Sequence, residues 1–520
     1  MLYLAIIFHM HQPYYKNLIT QETELPWVRL HAIKDYLDML KIVEKYPQVH
    51  LTFNLVPSLL EQLEDYSHGI IKDKFLELSY KPAAELLLEE KEFILNNFFM
   101  INRDKVIAMH PRYYELFFKK EHRKEYSTQD YLDLQVWFNL AWFDPYFRRN
   151  VPELRAIVNK ARFFSEDDKL TVLDKQFEII DEIIPAYKKC VAGKQLEVTV
   201  SPYYHPILPL LYSTNTARDA NPKTILPSIP FAYPEDALAQ VKSALEFFKN
   251  RFAAPAAGMW PSEESVCEQV LPFFIQSGVK WIVTDEAILF KSLKKKKRDT
   301  ALLYQPHLLK RREGDLNIIF RDRNLSDLIG FVYHDWKPQD AVADLLKHLE
   351  NIANAFKHED VLVTIAMDGE NAWEHFTNDG HDFLDVLYQK LSESTFLKTV
   401  TVSEYLERFP AKHEIDTLGT GSWIYGDFAK WIGNPYKVRA WEYLALAREE
   451  LKKILDSGGA VSETAWKQMY ICEGSDWFWW YGDGDDGGRF DKLFRTHLSN
   501  FYTLIDKEIP EYLKKPLDSF

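Results

Sequence analysis

Residues 361–376 read VLVTIAMDGENAWEHF. Val361, Leu362, Val363, Thr364 and Ile365 form an apolar, β-branched run without polar alternation, and the run stops at Asp368. Continuous apolar character marks a strand covered on both faces, as in a parallel sheet packed between helices. Such a strand delivers its last residue to the sheet edge, where α/β folds keep their chemistry. Asp368 is then a carboxylate held on a rigid element at a site edge, with Glu370, Asn371, Trp373, Glu374 and His375 just beyond. From this stretch alone, an Asp that caps the next helix reads equally well.

Six further short apolar runs resemble it, at 2–8, 50–55, 196–201, 257–260, 281–285 and 317–321. Helical periodicity fills most of the intervals, at 30–46 and 234–252, and follows the seventh run at 383–394, as in βαβ repetition. Well over a hundred residues separate the second and third runs, and their content is helical at 83–99 and 131–142. This predicts a helical insertion at about 58–190 in a barrel that occupies 1–405. Beyond about Pro410 the strand signals fade. Amphipathic helices at 441–455 and 491–505 predict a mainly helical C-terminal domain, 406–520, that contributes to the cleft.

At 520 residues the chain exceeds one ordinary core. Its 47% hydrophobic content suits a well-buried interior, and its 15% aromatics, with 14 Trp, suit a carbohydrate cleft as well as a core. A net charge of −14 argues against nucleic acid, which needs clustered Lys and Arg. The one basic run, KKKKR at 294–298, reads as a solvated loop. Cys190, Cys267 and Cys472 are too few and too scattered for a disulfide framework or a CxxC metal site. The run at 2–8 is too short to span a membrane and reads as a first strand. A cytoplasmic protein with no membrane partner is expected.

Polar residues gather at the strand ends. His9 and His11 follow the first run, Tyr203, Tyr204 and His205 the third, and Glu263 the fourth. Asp285 and Glu286 follow the fifth, Arg321 and Asp322 the sixth, and Asp368 the seventh. Together they suggest the active edge of a barrel. His9 and His11, two apart in extended chain, face one side. With His205 and Asp368 they could be offered to a metal, but Gln12-Pro13 follows at once and no HExxH is present. Hydroxyl partners in the innermost subsite is the stronger reading, and neither a metal nor a cofactor is expected. Two carboxylates among tryptophans and histidines, without G-x-S-x-G or a phosphate loop, suggest work on a glycosidic bond.

Five blocks in order then resemble glycoside hydrolase family 57, in its amylopullulanase and α-amylase-like branch. They are HMHQPYY (9–15), EVTVSPYYHPILPLL (197–211), GMWPSEESV (258–266), AMDGENAWEHF (366–376) and WIGNPYKVRAWEYL (431–444), the last preceded by GSWIYGDF. The resemblance implies an incomplete seven-stranded (β/α) barrel followed by a helical region. It implies Glu263 as nucleophile, with Glu264 a competing position, and Asp368 as general acid/base in a retaining reaction. The implied substrates are α-1,4-glucans such as starch, glycogen or maltodextrin, with α-1,6 bonds a further target. A 4-α-glucanotransferase or branching enzyme using the same intermediate is the alternative, and a metal-dependent deacetylase on the HxH pair a remote one. Trp260, Trp373 and Trp423 are candidate sugar platforms, and His9, His11, Gln12, His205, Glu370 and Asn371 candidate substrate contacts. In EGSDWFWWYGDGDDGG (473–488), Asp476 and Trp477 are candidate contacts from the C-terminal region. Asp483, Asp485 and Asp486 loosely resemble a calcium loop with incomplete spacing. Nothing in the sequence speaks to oligomeric state.

Overall fold

The computed structural model describes residues 1–482 and 488–517. Seven parallel strands follow one another around a wall: β1 (Leu2–Met10), β2 (Leu51–Leu55), β3 (Leu196–Thr199), β4 (Gly258–Met259), β5 (Trp281–Asp285), β6 (Gly314–Arg321) and β7 (Val361–Asp368). β7, β1, β2 and β3 form one hydrogen-bonded run, and β4, β5 and β6 a second. The runs join at a single bridge, Val200 to Met259, where Trp260 N donates to Val200 O at 2.9 Å.

The seam between β6 and β7 stays open for a physical reason. An antiparallel strand, His307–Arg311, folds back on β6 and pairs from Ile318 down to Gly314. What joins β6 to β7 is a backbone bond from Asp322 N to Thr364 O at 2.8 Å and the Ser326 hydroxyl, which accepts from Ala366 N at 3.2 Å. A comparable wedge enters at the bottom of β1, where Leu397–Thr399 pairs with Leu2–Leu4 while β2 pairs only with Ile7–Met10. The fold is a (β/α) barrel of seven strands, incompletely closed.

Side-chain alternation builds the site floor. Tyr3, Ala5 and Ile7 of β1 point into a small inner cluster with Trp281 and Val283 of β5, Ile319 of β6, and Leu362 and Ala366 of β7. Leu4, Ile6 and Phe8 belong to the larger core. With a period of two, the next inner positions are His9, Asp285, Arg321 and Asp368. His9 and Asp368 are direct partners in the β1–β7 ladder, and His9 also pairs with Asn54 of β2. The interior thus changes from apolar to polar at one level, at the C-terminal ends of the strands.

The interval between β2 and β3 is helical, including Pro57–Ser67, Thr128–Ala141 and the 27-residue Glu166–Ala192. Its one strand, Lys72–Asp73, pairs with Glu22–Thr23. The single helix expected at 30–46 is instead Trp27–His31, a π turn at Ala32–Tyr36, and Leu37–Val43. The helix expected at 83–99 is a 3₁₀ turn at Ala83–Glu85 followed by Leu88–Asn97. Pro435–Asp456, Glu463–Cys472 and Arg489–Leu504 carry the C-terminal segment. Among the described residues no helix is long and apolar enough to cross a membrane.

Candidate active site

A cavity of about 680 Å³ opens over the polar layer. Its lining includes His9, His11 and Gln12 beyond β1, His205 beyond β3, Glu263 beyond β4, and Asp368, Glu370 and Asn371 from the end of β7. Gly369 lets β7 finish this close to β1. Its N–H donates to His9 O at 2.8 Å, and a Cβ there would lie 2.2 Å from Met10 Sδ.

After β4 the chain turns sharply, and Glu263 and Glu264 take consecutive left-handed conformations, with φ of 56° and 52°. For side chains with a Cβ this stores on the order of 1–3 kcal/mol each. The turn separates the two carboxylates. Glu263 faces the cavity and accepts from Trp423 Nε1 at 2.7 Å through Oε2. Glu264 is fully buried, takes no part in the lining, and has no hydrogen-bond partner for either oxygen among the described residues. Burial holds its carboxyl well above the usual range.

Burial and the neighbouring Asp368 push Glu263 from an ordinary 4.5 up to about 8. Asp368 is raised by burial, against the Asn371 amide that donates to Oδ2 at 3.0 Å and the nearby His11 and Arg321. The charge on Asp368 opposes ionisation of Glu263, on top of burial, which disfavours the anion of both carboxyls.

The histidines form a stack. The ring centroids of His9 and His205 are 4.9 Å apart, those of His11 and His205 4.0 Å, and Trp260 closes the pile 4.8 Å below His9. His9 Nδ1 meets Asn54 Oδ1 at 2.6 Å, and burial lowers its pKa to about 3. Burial also holds His205 well below its usual value. Neutral rings of this kind donate from one nitrogen and accept at the other. His205 Nε2 and His11 Nδ1 are buried without partners among the described residues. Glu370 Oε1 accepts from His11 N at 3.0 Å, Gln12 Nε2 at 3.4 Å and Tyr36 OH at 3.2 Å, which fixes the chain as it leaves β1.

A model of glycosyl hydrolase family 57 matches residues 5–417. The chain belongs to glycosyl hydrolase family 57. No curated protein sequence matches it. Among solved structures, the family 57 branching enzyme of Pyrococcus horikoshii superposes with a TM-score of 0.61 at 17% identity, over 96% of this chain and 89% of that one. The α-amylase AmyC of Thermotoga maritima gives 0.57 at 15% identity, over 97% and 93%. The 4-α-glucanotransferase of Thermococcus litoralis gives 0.55 at 13% identity, over 96% and 60%. These likenesses show a common fold. The three proteins carry three different activities on it.

The family 57 match ends at 417, yet part of the lining comes from beyond it. Trp423, Asp476, Trp479, Trp480 and Phe490 all face the cavity. Asp476 stands against His11 Nε2 at 2.9 Å, and Ser475 Oγ against His205 Nδ1 at 3.0 Å. The atoms of His11, His205 and Asp476 that could ligate a metal lie within 4.8 Å of one another. This set differs from the one considered from sequence, since His9 is occupied by Asn54 and Asp368 stands apart from it. The Asp483, Asp485 and Asp486 reading lies outside the described residues.

Two of the expected sugar platforms, and the expected contact Trp477, are placed elsewhere. Trp260, Trp373 and Trp477 are each 1% exposed and line no part of the cavity. Trp373 Nε1 donates to Gly369 O at 2.8 Å and Trp477 Nε1 to Ile471 O at 2.7 Å, so both rings are wall. The third candidate platform, Trp423, does line the cavity, together with Tyr15 and Phe490 and with Trp27, Trp142, Trp479 and Trp480. The density of Trp in 473–488 signals the last two, but helical geometry at Asp476–Trp479 buries Trp477 and turns Trp479 outward. Trp142 lies in a run that reads simply as helix, and nothing in the sequence separates it from core. Tyr203 and Tyr204 bond Glu61 rather than facing the cavity, and Asp285 and Glu286 are tied by Arg323 and Arg298.

Proposed function

We propose that this family 57 protein cleaves α-1,4-glucosidic bonds by double displacement, with Glu263 as nucleophile and Asp368 as general acid/base. The observation that carries the reading is the placement of these two carboxyls, both disfavoured as anions by burial, on one cavity floored by the stack of His9, His11 and His205. In the first half-reaction Glu263 Oε attacks the anomeric carbon while Asp368 gives its proton to the departing glucan oxygen. In the second, Asp368 takes a proton from the incoming hydroxyl, whose oxygen displaces Glu263. The productive form has its proton on Asp368 and its charge on Glu263. Since burial and Asp368 keep Glu263 protonated up to about pH 8, Glu263 has to give up that proton before it attacks, and the Trp423 N–H supports the anion that results.

His9, His11, His205, Gln12, Glu370 and Asn371 are the proposed hydroxyl partners of the sugar next to the cleaved bond, and Trp423 a stacking wall. Residues 406–520 are read as a helical domain that completes the cleft through Trp423, Asp476 and Trp479. Hydrolysis of α-1,4-glucan is the leading outcome, with α-1,6 bonds a second target, as in amylopullulanases. Three buried, unpaired cysteines support a cytoplasmic setting. Transfer to a second sugar is the other reading, favoured by a further cavity beside Asp368. The stereochemical test is NMR of maltopentaose digestion in its first minutes. The α-anomer appears first under double displacement. The β-anomer first would overturn the mechanism, and loss of the α-anomer signal in Glu263→Gln and Asp368→Asn ties it to the two carboxyls.

A further inference from the structure

A second cavity, of about 610 Å³, lies on the other side of Asp368. It shares Asp368, Asn371, His375, Trp423 and Trp479 with the first, but Glu263 and the three histidines line the first cavity and not this one. A general acid sits at the bond that breaks, between the ring whose anomeric carbon is attacked and the group that leaves. The cavity holding the nucleophile is therefore the donor side, and the one that meets only the acid/base is the leaving-group side. Its size has room for a short oligosaccharide rather than a water alone.

Its walls suit a sugar chain. Phe331 is 74% exposed and Tyr425 79% exposed, an unusual presentation for two large rings on one cavity. Phe331 is carried on a π turn, Leu328–Val332, of the kind found at functional sites. Tyr425 is held out by a left-handed backbone with φ of 57°. Polar groups stand beside them. Arg321 donates to Asp327 at 2.7 Å and lies 5.1 Å over the Trp423 ring, while its buried Nε makes no hydrogen bond among the described residues and stands 4.0 Å from Asp285 Oδ2.

We propose that this second cavity is an acceptor site for the end of an α-1,4-glucan chain, with Phe331 and Tyr425 as its stacking residues. The inference rests on the double-displacement reading above and extends it. By microscopic reversibility one cavity holds the departing chain in the first half-reaction and the acceptor in the second. The acceptor hydroxyl loses its proton to the Asp368 carboxylate, its oxygen bonds to the anomeric carbon, and the carbon–oxygen bond to Glu263 breaks. Glu263 leaves as a carboxylate and Asp368 is left protonated. Occupancy of this site by sugar rather than water sets the share of transfer over hydrolysis.

The test uses α-maltosyl fluoride as donor, whose fluoride leaving group needs no acceptor cavity, with maltotriose as acceptor, in the full-length protein and in Phe331→Ala and Tyr425→Ala. The expected result is saturable transfer in the unmodified protein. In each variant the acceptor KM rises at least fivefold and the transfer-to-hydrolysis ratio falls by a similar factor, more than any loss in acceptor-free fluoride release. Variants whose acceptor KM and ratio both stay unchanged overturn the assignment. So does a parallel fall in acceptor-free fluoride release, which would place both rings on the donor side. Fluoride release without transfer at saturating maltotriose in the unmodified protein removes the acceptor site alone. No fluoride release at all removes the double-displacement reading, and this inference with it.

Discussion

Glu263 carries a proton in the folded protein at pH values where an exposed glutamate is ionised, because burial and Asp368 raise it from 4.5 to about 8. A carboxyl whose folded pKa lies above its unfolded one costs stability as pH rises. The cost begins near the unfolded value, grows up to the folded one and is constant above it. Glu263→Gln removes the ionisation and keeps the size. The variant is therefore expected to melt near the unmodified protein at about pH 4.5, and about 2–4 °C above it by about pH 8. Paired thermal melts across that range check it, and a gap that shrinks with rising pH would contradict the assigned shift. A carboxylate after a buried strand is conspicuous, and so were the two histidines after β1. Choosing Glu263 over Glu264 was not possible from residue types, since it depends on two successive left-handed residues that no local pattern announces. The burial of Trp260, Trp373 and Trp477 was equally hidden, because a Trp behind a wall and one on its surface are the same letter.

At the scale of elements, the nucleophile turn and the loop that follows residue 420 are stitched together. Val266 and Gly421 exchange backbone bonds at 2.8 and 3.0 Å, Trp423 N donates to Glu263 O at 3.2 Å, and the indole N–H meets the same residue's carboxylate. The loop closes on itself tightly enough that a Cβ on Gly421 would stand 2.2 Å from Gly426 O. Gly421→Ala should therefore displace Trp423 and lower kcat by about 10- to 100-fold, the scale of losing one aimed donor to a charged group. Trp423→Phe removes that donor directly. If both act through the one hydrogen bond, the double variant is no slower than about twice the worse single one, whereas multiplied losses would show separate routes. Six of the barrel strands have four or more residues and read as such from their apolar runs, and the seventh, Gly258–Met259, has two and is read from the run 257–260 around it. The strands that keep the barrel open were missed for physical reasons. Leu397–Thr399 has three residues, too few to show a period, and His307–Arg311 ends in two exposed or half-exposed cations that resemble a loop.

Over the whole molecule, the C-terminal helices are part of the site's frame as well as its cover. Asp476 and Ser475 reach His11 and His205, His497 Nε2 meets Tyr14 O at 3.0 Å, and Gln240 Nε2 donates to Glu473 at 2.9 Å. None of these long-range contacts is visible in a linear pattern, so the helices were legible while the surfaces they cover were not. One further tie is charged and buried. Arg448, on Pro435–Asp456, grips Asp236, on Pro234–Phe252, at 2.5 and 3.0 Å, and both side chains are within 2% of full burial. Glu473 lies beside them, its carboxyl held well above the usual range by burial and by Asp236. Replacing one member of a buried pair strands the other charge, at about 3–5 kcal/mol. Arg448→Met should thus lower the melting temperature by about 3–5 °C, the small figure reflecting the large unfolding entropy of a long chain. The loss has a definite pH sign. Without the guanidinium, Asp236 is a buried carboxyl whose folded pKa exceeds its unfolded one, so the variant recovers as pH falls toward the unfolded value and Asp236 takes up a proton. A deficit that is larger at about pH 8 than at about pH 5 is expected. A constant deficit would mean that Arg448 contributes through packing against Tyr233 and Trp466, 4.1 and 5.2 Å from its guanidinium, and not through its charge. The same variant reads out the cleft. If the helices frame the donor side, KM for maltopentaose rises together with the loss of stability, because Ser475 and Asp476 leave Glu473 by only two and three residues and move with it.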